Sequence, residues 1–163
     1  MNDSKTVIAD NIIRIKSMRA VTLSGLSDLT GIGLATLKSW SRCKSYPRLK
    51  TLDAFCDGLQ IHTSDMLEEG TRFSTPYTEK NDSHRRFFVN FIDRCNALQL
   101  INDAEKLAFF NDDALNDGEA DRDVVSSDAL SSYRRRTNGR QIPIKKLDFI
   151  ADRFGIKSFT LLR

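Results

Sequence analysis

The chain has 163 residues, of which 40% are hydrophobic, 29% are charged and only three are prolines, a profile that fits a soluble, mostly helical protein of one or two small domains. No apolar run approaches the roughly 18 residues needed to cross a bilayer, and the N-terminus lacks a basic-then-apolar signal pattern, so a cytoplasmic protein without a membrane segment is expected. Cys43, Cys56 and Cys95 show no CxxC spacing and His62 and His84 have no cysteine neighbours, so the pattern offers neither a disulfide framework nor a zinc site, and no cofactor is expected.

Residues 1–6 are polar and are expected to fray. The spacing of Ile8, Ile12, Ile15 and Met18 predicts a helix over residues 7–19, with Arg14, Lys16 and Arg19 on its solvated face. Thr22 can cap a second helix over residues 23–30, whose buried side carries Leu26 and Leu29. Gly31 can take the left-handed conformation that ends it, Ile32 can plug the corner, and Gly33 stands where a third helix begins. Leu37 and Trp40 give that third helix, residues 34–42, its buried side; Trp40 reads as a packing residue that sets the helix angle. The opposite side shows Ala35, Thr36, Lys38, Ser39 and Arg42, short or polar first and basic later, a face that suits a DNA major groove. Between Lys38 and Lys50 the basic residues Lys38, Arg42, Lys44, Arg48 and Lys50 occur without an acid, which says more than the small net charge of +3. Pro47 closes a loop, Leu49, Leu52, Phe55, Cys56 and Leu59 line a fourth helix, and Ile61, Met66 and Leu67 predict a short fifth.

The segments TLSGLSDLTGIGLATLKSWSR and YPRLKTLDAFCDGLQIHTSDML, within residues 8–68, resemble the lambda-repressor-like, XRE-type helix-turn-helix domain of transcriptional regulators. That resemblance implies double-stranded DNA as partner, with Leu34, Ala35, Thr36, Lys38 and Ser39 reading bases and Thr22, Leu23, Arg42, Lys44, Ser45, Tyr46 and Lys50 meeting phosphate. Two positions depart from the family: Leu23 stands where many members brace a phosphate with glutamine, and Leu34 stands where a polar base reader is usual. Leu34 then touches a thymine methyl or packs on a neighbouring subunit. Such regulators read two half-sites through two-fold symmetry, so a homodimer is expected unless two modules in one chain act as a built-in pair.

Residues 70–83 have a linker composition. Phe87, Phe88, Phe91, Ile92, Cys95 and Leu98 predict a helix over residues 84–100, and Asn102 can cap another over residues 103–110. The first half then returns: ALSSYRRR resembles TLKSWSRC, and IKKLDFIADRFGIKSFTLLR resembles LKTLDAFCDGLQIHTSDMLE. The expected fold is all-α, two tandem lambda-repressor-like five-helix modules: residues 1–69, a linker at 70–83, and a diverged copy at 84–163. The second copy carries an acidic insertion at about residues 111–125, and Tyr133 repeats Trp40. Ser131, Ser132, Arg134, Arg135, Arg136 and Arg140 are its candidate DNA or partner contacts, although the neighbouring carboxylates repel phosphate within a Debye length of about 10 Å.

The leading expectation is a bacterial or phage regulator, most simply a repressor, that occupies an operator through residues 34–42. The alternative is a protein-interaction module of antirepressor or antitoxin type, with a protein partner bound through the C-terminal module or its acidic loop. No nucleophile elbow, phosphate loop, metal-ligand spacing or paired histidine and carboxylate is present, so an enzyme is not expected.

Overall fold

The computed structural model describes residues 1–100, 102, 105, 106 and 142–163. Over these residues the elements are α1 (Ser4–Arg19), α2 (Leu23–Thr30), α3 (Leu34–Ser41), α4 (Leu49–Leu59), a 3-10 turn (Thr63–Leu67), α5 (Ser83–Ala97), α6 (Ile144–Phe154) and a second 3-10 turn (Ser158–Leu162). The described part is therefore helical. Its one extended contact is an isolated antiparallel bridge between Arg48 and Pro143. The expected helix over residues 103–110 falls mostly outside the described residues, and the acidic insertion at 111–125 falls wholly outside them.

Helix α1 begins three residues earlier than its apolar spacing predicts. Asp3 caps it by accepting from the Thr6 N–H, and Ser4, expected to fray, is buried. The cause is long-range: the Ser4 N–H donates to the Asp148 carboxylate at 3.0 Å and the Ser4 hydroxyl donates to the same group, partners that helical periodicity cannot see. Met18 is exposed, because α1 turns its Ile8, Ile12 and Ile15 face to the core and ends at Ala20 in the left-handed region.

The same set of contacts is made twice. Asp53 of α4 accepts from the Thr63 hydroxyl, 2.7 Å, from the Ser83 N–H, 3.0 Å, and from the Ser83 hydroxyl. Asp148 of α6 accepts from the hydroxyls of Ser158 and Ser4 and from the Ser4 N–H. Asn81 donates to Asp57 and to the Ile61 carbonyl, both at 2.9 Å, and accepts from the Thr63 N–H. Asn2 does likewise with Asp152, 2.8 Å, the Ile156 carbonyl, 2.7 Å, and the Ser158 N–H. Asn11 reaches the carbonyls of Met66 and Glu68, and Asn90 those of Leu161 and Arg163. Each first helix is thus seated on the other half's helix and turn, α1 beside α6 and α5 beside α4.

At the bridge the exchange is reciprocal: the Leu49 N–H donates to the Ile142 carbonyl at 2.9 Å and the Ile144 N–H to the Pro47 carbonyl at 3.1 Å. Glu68 and Arg163, which end the two 3-10 turns, form an ion pair. One continuous core results, running from Ile8, Ile12, Leu37, Trp40 and Phe55 to Phe87, Phe91, Leu147 and Leu162. Within α5, Leu98 was expected in the apolar face but lies beyond the helix end and is exposed, and Ile92 is only half-buried. Ser83 opens the helix one residue earlier than predicted, and Asn81, in the linker-like stretch, is buried by its contacts to α4 and the turn after it.

Candidate nucleic-acid interface

Helix α2 starts as the sequence predicts, with the Thr22 hydroxyl oxygen accepting from the Gly25 N–H at 3.0 Å. It ends at Gly31, whose φ of 71° lies in the left-handed region, and the Gly31 N–H closes on the Ser27 carbonyl at 2.9 Å. The turn is tied from its side chains as well. The Ser27 hydroxyl donates to the Ile32 carbonyl and the Thr30 hydroxyl to the Leu26 carbonyl, both at 2.7 Å, while Ile32 packs against the core.

Gly58 of α4 decides how close α2 can come. A Cβ there would stand 2.7 Å from Thr30 Cα and 2.8 Å from the Leu29 carbonyl oxygen, so only glycine admits this approach. Leu29 itself was expected on the buried side; it is half exposed, because the end of α2 rests on α4 through its backbone and Leu26 alone fills the core beneath it.

Helix α3 is fixed by Leu37 and Trp40, both buried, with the Trp40 ring edge-on to Phe55 at 6.0 Å. On its other side Ala35, Thr36 and Lys38 are exposed, and Leu34 and Ser39 are half-buried. These five base-reading candidates therefore share a side of α3 with its two anchors beneath. The chain then folds back on the helix end: the Lys44 N–H donates to the Ser39 carbonyl at 2.9 Å, and the Ser39 and Ser45 hydroxyls bond to each other at 2.7 Å. Ser39 and Ser45, assigned separately to bases and phosphate, thus form one hydroxyl pair at the foot of α3. Arg42, Lys44, Arg48 and Lys50 are exposed around it.

Thr22 is exposed, with its oxygen engaged as the cap, and Leu23 is half-buried against the core, so any phosphate contact at Leu23 falls to its backbone. Tyr46 packs on the core beneath the Lys5 ammonium, 5.0 Å from the ring centre. Burial first, and then Asp148 and Asp3, raise its phenol pKa above the usual value, so it stays protonated.

Lys5 was missed by the sequence reading, which placed it in a frayed end. Its signal was present all the same, because the tripeptide Asn-Asp-Ser precedes Lys5 and recurs at residues 81–83, where it opens a helix. The second-module candidates Ser131, Ser132, Arg134, Arg135, Arg136 and Arg140, with Tyr133, lie outside the described residues. Among the described residues no three His, Cys, Asp or Glu side chains are grouped to hold a metal ion.

Two eight-residue helices joined by a glycine turn, the second anchored from below and bare above, define a helix-turn-helix unit, a class of element that docks in the DNA major groove. Residues 10–68 match a family model described as a Cro/C1-type HTH DNA-binding domain. No curated protein and no solved structure matches the chain. The match runs from α1 to the end of the first 3-10 turn, so the whole unit around α3 is similar to a Cro/C1-type domain, and it indicates a DNA-binding transcription regulator. Among the described residues no helix is long and apolar enough to cross a membrane.

Proposed function

We propose that this chain is a sequence-specific transcription regulator, most simply a repressor, that occupies operator DNA by seating α3 in the major groove. The observation that carries the proposal is the bare face of α3 within the segment similar to a Cro/C1-type domain: Ala35, Thr36 and Lys38 are exposed directly above the buried Leu37 and Trp40. Short side chains let the helix approach base edges, Thr36, Lys38 and Ser39 make the polar base contacts, and Leu34 and Ala35 meet thymine methyl groups. Arg42, Lys44, Lys50 and the backbone N–H groups at Thr22 and Leu23 hold the phosphates that fix the docking register. Regulation follows from occupancy and needs no catalytic step.

The C-terminal half is a diverged second copy of the same module. What supports this is the paired contact set, in which Asn81, Ser83, Asn90 and Asp148 repeat the partners of Asn2, Ser4, Asn11 and Asp53.

Selection of bound sequences from random duplexes, followed by gel-shift titration, tests the proposal. Thr36→Ala and Lys38→Ala should each cost about 1–3 kcal/mol of specific affinity and relax preference at one base position, whereas Arg42→Ala should weaken all DNA binding and reduce the salt slope by about one. If the alanine variants bound the selected duplex like the parent, α3 would not be the reader. No enrichment, together with a stoichiometric protein partner in a pull-down, would instead favour the interaction module.

A further inference from the structure

We infer that the chain is its own dimer: one molecule spans both half-sites of one operator, and Lys145 is the second half's counterpart of the phosphate contact Lys50. The inference rests on the DNA-binding proposal above and adds the stoichiometry, the symmetry of the site and a contact residue outside the matched segment.

A two-fold interface is recognised by reciprocity, in that residue i of one partner meets residue j of the other and j meets i. That relation holds here within a single chain. Ser4 lies on Asp148 while Ser83 lies on Asp53, and Asn2 lies on Asp152 while Asn81 lies on Asp57. Where the two halves touch at the bridge, Leu49 bonds to Ile142 and Ile144 to Pro47, so Arg48 and Pro143 face each other as equivalents. At the ends of the two 3-10 turns Glu68 and Arg163, again equivalents, form their ion pair. A pseudo-two-fold axis therefore passes through the bridge and through the Glu68–Arg163 contact.

The axis fixes where DNA meets the second half. The chain leaves α3 at Ser41 and reaches the axis only six residues later at Pro47, so the α3 face and the bridge lie on neighbouring ground. Helices α4 and α6 both begin at the bridge, and the second residue of each is an exposed lysine, Lys50 and Lys145. A duplex laid on α3 with Lys50 at a phosphate meets Lys145 after the two-fold operation. Two-fold proteins read sites whose half-site centres are about one helical turn, 10–10.5 base pairs, apart, and the operator copies the protein's symmetry. Because the halves differ in sequence, the two half-sites differ too, and the chain binds in one direction.

The test uses the full chain and the duplex recovered from random selection. Light scattering should give one chain per molecule free and one chain per duplex bound, with an asymmetric consensus of two unlike half-sites. In salt titrations Lys50→Ala and Lys145→Ala should each reduce the slope of log K against log salt by about one. Thermal melting of each variant should match the parent, since both side chains are exposed. Two chains on a palindromic site, or a slope that responds to Lys50→Ala and ignores Lys145→Ala, would overturn the inference while leaving DNA binding by α3 intact. Absence of DNA binding by the parent chain would overturn both.

Discussion

The two halves of the molecule share a frame and differ in what the frame carries. Asp53 and Asp148 are buried at matched positions and accept matched hydrogen bonds, and burial raises both carboxyls even though their serine and threonine donors pull the other way. Five residues further along the same two helices the likeness ends. Gly58 of α4 lets the end of α2 rest on bare backbone, whereas the equivalent position of α6 is Arg153, an exposed side chain 5.6 Å from the centre of the Phe149 ring. Among the described residues the polar contacts that bind the halves are thus duplicated, while the glycine that admits the close approach of α2 has no glycine counterpart in α6.

The largest effect is expected from the shared frame. Asp148→Ala leaves one buried N–H and two hydroxyls without an acceptor, and Asp53→Ala does the same on the other side. Each should lose on the order of 3–4 kcal/mol in urea titrations. Because one core runs through both halves, each variant should unfold in a single transition; two separated transitions in either would show the halves to be independent.

Next comes the asymmetric contact. Gly58→Ala forces a Cβ against the backbone of Thr30 and should cost about 2 kcal/mol, with a larger fractional loss of operator affinity than of helicity. Arg153→Ala should stay within about 0.5 kcal/mol and leave affinity unchanged. Equal penalties at the two positions would erase the distinction drawn between the halves.

Loss of the cap by Thr22→Ala should remove about 1 kcal/mol, with Thr22→Ser restoring most of it in thermal melts.

The smallest expected effect depends on pH. The ring Nδ1 of His62 accepts from the Ser64 N–H at 3.2 Å, and burial, followed by the nearby Arg86, lowers its pKa below the usual 6.5. A depressed folded pKa contributes stability that is present above 6.5 and lost as pH falls through the lowered value. The second 3-10 turn has Lys157 at this position with no side-chain cap, so the sensitivity should be one-sided. His62→Asn should flatten the difference in melting temperature between pH 7.5 and pH 5 in matched buffers, and an unchanged difference would assign the titration elsewhere.

The α2, turn and α3 unit was legible because its causes are local: a cap at Thr22, a left-handed Gly31, and Leu26, Leu37 and Trp40 at helical spacing. Like residues in like order were legible as well, down to the pairs Asp53 and Asp148 and Ile61 and Ile156. What the sequence hid was exchange between the halves. Ser4 and Asn2 look like a polar end, and only the distant carboxylates of Asp148 and Asp152 explain why they are held. Lys5 followed them out of view for the same reason, and so reached the edge of the candidate interface unannounced. Leu29 failed differently, since Gly58 lets backbone do the packing that its side chain was expected to do.

The seat of Ser4 on Asp148 has a consequence in the order of synthesis. The two residues are 144 positions apart. At ~5–20 residues per second the ribosome delivers the second roughly 7–30 s after the first. Through that interval α1 has its own cap at Asp3 but not the acceptor that holds its first turn, and Asp53 gains Ser83 well before Asp148 exists. The nascent chain therefore closes its second exchange last, and the segment similar to a Cro/C1-type domain is complete in sequence long before it is sealed in structure.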